Sequence, residues 1–239
     1  MRAAVVSDIH GNLTALEAVL ADLRETSPDL IAHGGDLADN GSSPVEVLDR
    51  LRDLAWPGVY GNTDEMLFDP PSLTRFASGL PQLKAMWDAI EEMAADVRQR
   101  LGGERLAWLR ALPGALMQED FVLLHASPQT AWRAPMDSAA DADLESAYGR
   151  MGRPVVVYGH IHRPYVRAVA GMVVANSGSA GMPHDGDRRA SYLLLDEGRP
   201  SIRRVEYDLQ RELKLLRSSG RPHAGWIARI LESASPQMP

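Results

Sequence analysis

The 239-residue chain contains no cysteine, no long apolar run and no excess of positive charge. Without cysteine it can form no disulfide, no thiolate metal site and no cysteine nucleophile. A bound metal would therefore be held by histidine, aspartate, glutamate or asparagine, which is a harder ligand set than the one zinc fingers use.

The missing apolar runs and missing positive charge narrow the possible partners. No apolar stretch approaches the roughly 20 residues that a membrane-spanning helix needs. The short apolar run at the N-terminus ends in a polar cluster, which predicts a buried strand rather than a signal peptide. We therefore expect a cytoplasmic protein without a membrane partner. The net charge of −7 argues against stable nucleic-acid binding, but it is compatible with an anionic substrate if bound cations reverse the local field.

The pattern of apolar residues predicts an α/β fold. Short apolar runs that end in turn residues predict buried strands at 3–7, 30–34, 58–61, 121–125, 154–159, 172–175, 192–195 and 202–207. Helical spacing predicts one helix that begins after a cap at Asn12 and another at 43–54. It also predicts a helix at 83–112 that is broken at Gly102, and two helices within 209–231. We expect a single domain over 1–239, with a helical insertion at 66–118 and C-terminal helices at 208–239.

Five polar clusters follow predicted strands, at 7–12, 34–36, 61–64, 124–127 and 159–162. Loops at the carboxyl ends of strands form the usual binding crevice of an α/β sheet, so the clusters can converge. Asp8 and His10 are two residues apart, as are His160 and His162. In extended backbone, each pair would point the same way. Asp36 has two oxygens with which to bridge cations.

Each of these residues also has a structural interpretation. Asp8 and Asp36 could cap helices, and His125 alone could be a hydrogen-bonded core histidine. Two histidines so close at a strand end have little structural purpose, however, and seven ligand types in order would need seven separate explanations. Four further residues have weaker interpretations. His33 is structural or orients a ligand, Asp64 orients ligands, His184 lies in a loop that can reach substrate, and Arg163 contacts phosphate or lies at the surface.

The order D-x-H, G-D, G-N, H and G-H-x-H resembles the calcineurin-like metallophosphoesterase superfamily, in particular its small prokaryotic phosphodiesterase-type branch. The resemblance covers nearly the whole chain. It implies a distorted β-sandwich flanked by helices, in four α-β-β-α layers, with a dinuclear metal centre. One ion would be held by Asp8, His10, Asp36 and His162, and the other by Asp36, Asn62, His125 and His160. A metal-bridging hydroxide would attack phosphorus in line, with Asn62 stabilising the developing charge. Mn²⁺ suits the mixed oxygen and nitrogen ligands, with Fe, Ni, Co or Zn as alternatives.

One residue departs from the family pattern. Thr63 stands where the superfamily usually has a histidine that protonates the leaving group or orients the phosphate. Threonine cannot serve as a general acid near neutral pH, so alkyl monoesters should suffer most and strained or activated diesters least. We therefore expect hydrolysis of a small phosphodiester such as a cyclic nucleotide. The alternatives are a phosphomonoesterase, a dinucleoside-polyphosphate hydrolase, or a non-catalytic interaction scaffold like the retromer subunit of this fold.

Overall fold

The structure is a computed structural model that describes all 239 residues. Its nine strands are β1 (Arg2–Val6), β2 (Leu30–His33), β3 (Ala115–Met117), β4 (Phe121–Leu124), β5 (Val155–Tyr158), β6 (Tyr165–Val169), β7 (Met172–Asn176), β8 (Ala190–Asp196) and β9 (Arg199–Val205). Its eight α-helices are α1 (Leu13–Thr26), α2 (Pro44–Leu54), α3 (Asn62–Phe68), α4 (Pro71–Ala77), α5 (Lys84–Arg110), α6 (Asp141–Tyr148), α7 (Leu209–Ser218) and α8 (Ala224–Ser233).

The strands form two sheets, with strand orders β2-β1-β8-β9 and β3-β4-β5-β7-β6. The pairs β1/β2, β4/β5 and β5/β7 are parallel, and the other neighbours are antiparallel. Helix α1 connects the parallel strands β1 and β2. It begins at the predicted cap, where the Asn12 side-chain oxygen accepts a hydrogen bond from the backbone nitrogen of Ala15 at 2.9 Å.

Alternation along the buried strands separates two apolar cores. In β1, Ala3 and Val5 pack between the sheets against residues of β4 and β5. Ala4 and Val6 face the opposite side, where α1, α2 and α5 cover the first sheet. The outer face of the second sheet is covered by α6 through Leu144 and Tyr148. The order of layers is helix, sheet, sheet, helix, so the expected flanked β-sandwich is confirmed.

The long helical segment differs in detail from the predicted insertion. Helical structure already begins at Asn62, before the predicted start at 66, and the short strand β3 lies inside the predicted boundary at 118. Helix α5 bends at Gly102, whose φ of 67° and ψ of 173° are not helical. Its Ala89 and Met93 pack with α7 and α8 in a separate apolar cluster. No helix combines the length and apolar character needed to cross a membrane.

The strand predicted at 58–61 was wrong. Gly58 makes one isolated parallel bridge with His33, while the backbone nitrogen of Tyr60 bonds to the carbonyl oxygen of Pro113. Because neighbouring residues of this run bond to different segments, no continuous ladder forms. Strands β3 and β6 were not predicted, since β3 has only three residues and β6 is half-exposed.

Candidate metal centre

The polar clusters meet at one edge of the sandwich. The 7–12 and 34–36 clusters leave the carboxyl ends of the parallel strands β1 and β2, and the 124–127 and 159–162 clusters leave those of β4 and β5. Hydrogen bonds join the two sheets at this edge. The backbone nitrogen of His160 donates to both carboxylate oxygens of Asp8 at 3.1 Å. The Nδ1–H of His125 donates to the carbonyl oxygen of Gly34 at 2.8 Å. Parallel pairing within each sheet and these hydrogen bonds between the sheets therefore bring together residues that lie about 150 positions apart.

The backbone at the two paired motifs is not extended, and that part of the sequence interpretation was wrong. Asp8, His10, His160 and His162 have φ values of 55°, 50°, 65° and 57°, and Asp36 has φ of 54°. All five lie in the left-handed region, which costs non-glycine residues energy unless the surroundings fix it. Hydrogen bonds between the loops supply that fixation, such as the one from the backbone nitrogen of His10 to the carbonyl oxygen of Asp36 at 2.9 Å.

Asp8, His10, Asp36 and His162 form the first group of possible metal ligands. All four are buried, and one ligand atom from each lies within 4.8 Å of the others. The Nε2 atom of His162 is 3.1 Å from Asp8 Oδ1 and 3.1 Å from His10 Nε2. Its Nδ1 atom lies 2.6 Å from the Met182 carbonyl oxygen, which can only accept a hydrogen bond. Nδ1 therefore carries the proton, and in the neutral ring Nε2 directs a lone pair into the group.

Asn62, His125 and His160 form a second group next to the first. Asn62 Oδ1 is 2.9 Å from His160 Nδ1 and 3.0 Å from His125 Nε2. Asp36 lies between the groups, with Oδ1 3.4 Å from His125 Nε2 and Oδ2 3.7 Å from His10 Nε2. Because His125 Nδ1 donates to a carbonyl oxygen, the neutral ring directs its Nε2 lone pair towards Asn62. Burial lowers the pKa of His125, but the Asp36 and Asp8 carboxylates and the Gly34 carbonyl together raise it more.

Burial and neighbouring charges set the protonation of the centre. Burial, together with the adjacent histidines, lowers the pKa of His10 and of His160 to about 4, so both rings are neutral at pH 7. Burial also lowers the pKa of His162, but the Asp8 and Asp36 carboxylates and the Met182 carbonyl together raise it more, and the net shift is upward. Reciprocally, His162 holds the pKa of Asp8 below its usual range although burial opposes this. The Asp8 carboxylate is thus ionised and could bind a cation.

Three further side chains hold the ligand loops. Asp64 accepts hydrogen bonds from the backbone nitrogens of Asp36, Leu37 and Gly61 at 2.7 to 2.9 Å, so it contacts the loops rather than the ligand atoms. The sequence interpretation missed the other two. The hydroxyl of Ser7 donates to Asp8 Oδ2 at 2.6 Å, and the Asn40 amide lies 3.1 Å from His10 Nδ1. Ser7 directly precedes Asp8 in the sequence, which was the available signal, whereas Asn40 is adjacent to no predicted ligand.

The remaining sequence candidates lie around the centre. The backbone nitrogen of Thr63 donates to Asp36 Oδ1 at 2.9 Å. The ring of His184 stacks on that of His162, with centroids 4.3 Å apart. Arg163 is 40% exposed and lies 3.8 Å from Asp137, so it forms a surface ion pair. The buried ring of His33 packs against Gly58 and Trp108 rather than against the ligand groups.

Known proteins resemble the chain along its length. An uncharacterized protein of Methanocaldococcus jannaschii is 28% identical over 95% of this chain and 96% of its own. The crystal structure of a metallophosphoesterase from Sphaerobacter thermophilus superposes with a TM-score of 0.78 at 26% identity, covering 98% of this chain and 100% of that one.

Two relatives with more specific names match only part of the chain. A probable cyclic nucleotide phosphodiesterase of Synechococcus is 28% identical over 63% of this chain and 64% of its own length. A symmetrical bis(5'-nucleosyl)-tetraphosphatase of a Janthinobacterium species is 27% identical over 59% of this chain and 49% of its own. The model of the calcineurin-like phosphoesterase superfamily domain matches residues 1–199, and the chain belongs to that superfamily.

Proposed function

We propose that the protein hydrolyses a phosphodiester at a centre of two divalent metal ions. The observation that carries the proposal is the convergence of buried carboxylate oxygens, imidazole nitrogens and an amide oxygen within a few ångströms of one another. These mixed oxygen and nitrogen ligands suit Mn²⁺, with Fe, Ni, Co or Zn as alternatives.

The geometry supports a division of the ligands between two ions. One ion would be held by Asp8, His10, Asp36 and His162, and the other by Asp36, Asn62, His125 and His160. Asp36 supports this division because its two oxygens face different groups, Oδ2 towards His10 and Oδ1 towards His125. Divalent ions at such a site supply a nucleophile at neutral pH and neutralise charge on the phosphoryl oxygens.

The chain's own groups would orient the ester. Asn62 begins helix α3, and its amide oxygen faces the two histidines of the second group. Its amide nitrogen is the group that would donate to a phosphoryl oxygen. Asp64 and Ser7 keep the ligand loops in place before substrate arrives, which lowers the cost of organising the site.

Thr63 supports a diester over a monoester. Threonine cannot protonate a leaving group, and the Thr63 hydroxyl lies buried beside the second group of ligands without a hydrogen-bond partner. The similarity to the Synechococcus phosphodiesterase agrees with this choice. Hydrolysis of a dinucleoside tetraphosphate is the second candidate, because of the partial match to the tetraphosphatase.

Metal analysis with paired substrates tests the proposal. We expect the Mn²⁺-loaded protein to bind two equivalents of metal and to cleave bis(4-nitrophenyl) phosphate faster than 4-nitrophenyl phosphate or diadenosine tetraphosphate. Asp36→Asn should lose both metal and activity. Asp22→Asn is the matched control, because Asp22 is also largely buried and hydrogen-bonded, but to Tyr192 and Arg203 far from the centre.

Two further results would change the assignment. Thr63→His should raise the ratio of monoester to diester turnover, since it supplies a group that titrates near neutral pH. Faster cleavage of alkyl monoesters than of diesters by the unaltered protein would overturn the diester assignment. Absence of both metal binding and hydrolysis would favour a non-catalytic scaffold.

A further inference from the structure

A cavity of about 230 Å³ lies directly beside the metal centre. Its polar end is formed by Asn40, Asn62, Thr63 and His184. The rest of its wall is apolar and comes from helices α5 and α8 and from the segment after β4, chiefly through Trp87, Ile90, Met93, Trp132, Trp226 and Ile230. A group held in this cavity would therefore be continuous with a phosphate bound at the ligands.

The three tryptophans in the wall present only carbon surface to a ligand. The indole nitrogen of Trp87 donates to the carbonyl oxygen of Leu80 at 3.1 Å. That of Trp132 donates to Glu65 Oε2 at 2.9 Å, and that of Trp226 to the carbonyl oxygen of Gln237 at 2.8 Å. Each indole has a single donor, so none is left for a ligand.

Most other polar side-chain atoms away from the metal centre are also engaged or inaccessible. The amide nitrogen of Gln237 donates to the hydroxyls of Ser233 and Ser235. The carboxylate oxygens of Asp39 have almost no accessible surface, and one lies 3.9 Å from the Arg221 guanidinium. Beyond its polar end, the cavity thus has mainly apolar walls, and the amide oxygen of the exposed Gln237 at its rim is the remaining side-chain acceptor.

These walls select against a nucleobase. The Thr63 hydroxyl and His184 Nε2, which have no partner, belong to residues of the polar end. A base held against the apolar part of the wall would lose the water bound to its hydrogen-bonding edge and gain no buried partner there. An alkyl or aryl group loses no hydrogen bond and gains apolar contact with the rings and thioethers. The volume is below the 300–1,000 Å³ typical of a whole ligand site, which fits one group of a substrate whose phosphate lies outside.

We propose that this cavity binds an apolar alkyl or aryl ester group of the substrate, and that the substrate is therefore not a nucleotide held by its base. The proposal rests on phosphoester hydrolysis at the adjacent metal centre. It narrows the substrate class to a phosphodiester of an apolar alcohol or phenol.

Binding of non-hydrolysable phosphonates to the Mn²⁺-loaded protein tests the proposal by calorimetry. We expect 1-naphthylmethylphosphonate to bind at least tenfold more tightly than methylphosphonate, and more tightly than an adenosine 5'-phosphonate. Ile90→Gln places an amide in the apolar wall and should weaken naphthyl binding about tenfold or more, because the loss of even one methylene contact in a pocket weakens binding about tenfold. Methylphosphonate has no group in the cavity, so its binding should be unchanged. Ile90→Phe, which fills the cavity, should weaken naphthyl binding similarly and serves if the glutamine variant does not fold.

Leu106→Gln is the matched control, because Leu106 is a half-buried residue of the same helix that does not line the cavity. Equal naphthyl affinity in the Ile90 and Leu106 variants, or tighter binding of the adenosine compound, would overturn the proposal. If naphthyl binding depends on Ile90 but the protein hydrolyses no ester, the proposed function is contradicted. The cavity would then still be a binding site for an apolar group.

Discussion

Replacement of Arg221 by methionine should destabilise the protein by about 3–5 kcal/mol at pH 8, and by less at pH 5. Arg221 lies in the connection between α7 and α8, and only 6% of it is exposed. Its Nε donates to Asp96 Oδ2 at 3.1 Å, its Nη1 to the carbonyl oxygen of Gly41, and its Nη2 lies 3.9 Å from Asp39 Oδ1. Methionine keeps much of the apolar length but leaves the buried Asp39 carboxylate without the guanidinium of Arg221, while Asp96 keeps its ion pair with Arg100.

The difference between the two pH values comes from Asp39. Burial raises the pKa of Asp39 to about 6 from an ordinary value of 3.8, although the charge of Arg221 opposes the rise. Because the folded-state pKa is raised, the fold binds the proton more tightly than the unfolded chain. Stability is therefore highest below the unfolded value and falls as pH rises through about 6. A shift of about two units corresponds to about 3 kcal/mol.

Loss of Arg221 should steepen this pH dependence. Without the guanidinium, the pKa of Asp39 rises further, since the largest opposing interaction has been removed. At pH 5 Asp39 is mostly protonated in both folded proteins, so the loss there reflects mainly the contacts with Asp96 and Gly41. At pH 8 the Asp39 carboxyl group of the folded variant is either ionised without a compensating cation or protonated against the solution pH. Both states lower the free energy of unfolding.

Urea denaturation at both pH values measures the effect, with EDTA present so that metal binding does not contribute. Arg217→Met is the control, because Arg217 is 53% exposed and pairs with Glu232 at the surface, where an ion pair contributes about 1 kcal/mol or less. Arg221→Met should lower the free energy of unfolding by more than this control does, and by more at pH 8 than at pH 5. An equal loss in the two variants, or an equal loss at the two pH values, would refute the roles given to Arg221 and Asp39.

Two other substitutions probe the ligand loops. Ser7→Ala removes the hydrogen bond to Asp8 and should weaken Mn²⁺ binding about tenfold by calorimetry; an affinity within twofold of the unaltered protein would contradict this role. Gly181→Ala should destabilise the fold by about 1–3 kcal/mol in thermal unfolding, because a Cβ there would overlap the carbonyl group of Ile9. Gly149→Ala, where the added Cβ would meet only an ordinary contact, should be nearly neutral by comparison.

The sequence was sufficient where local pattern and chemistry coincide. Residues 3–6 are all apolar and are followed closely by ligand-type residues, so both strand β1 and the cluster at its end could be predicted. The cap of α1 at Asn12 followed from residue type alone. Convergence of the clusters followed from the rule that parallel strands share one carboxyl edge.

Tertiary contacts decided the rest. Nothing in the sequence 58–61 indicates that Val59 bonds to strand β2 while Tyr60 bonds to Pro113. The carbonyl oxygen of Met182 fixes the protonation of His162, but every residue has such an oxygen, so no side-chain pattern marks it. The apolar cavity likewise depends on how α5 and α8 pack, which helical spacing alone does not specify.

The left-handed backbone shows how the predicted residues come together although their predicted local geometry was wrong. Asp8 Oδ1 and His10 Nε2 lie 4.0 Å apart, while the backbone at both residues is left-handed and not extended. The left-handed turns curve the chain so that both side chains reach one point, at a cost that is borne only where neighbours fix the backbone. Those neighbours are backbone groups of Gly35, Asp36 and the loop after β7. The spacing D-x-H therefore indicates the residue types of the candidate centre, while the packed sheet edges specify their geometry.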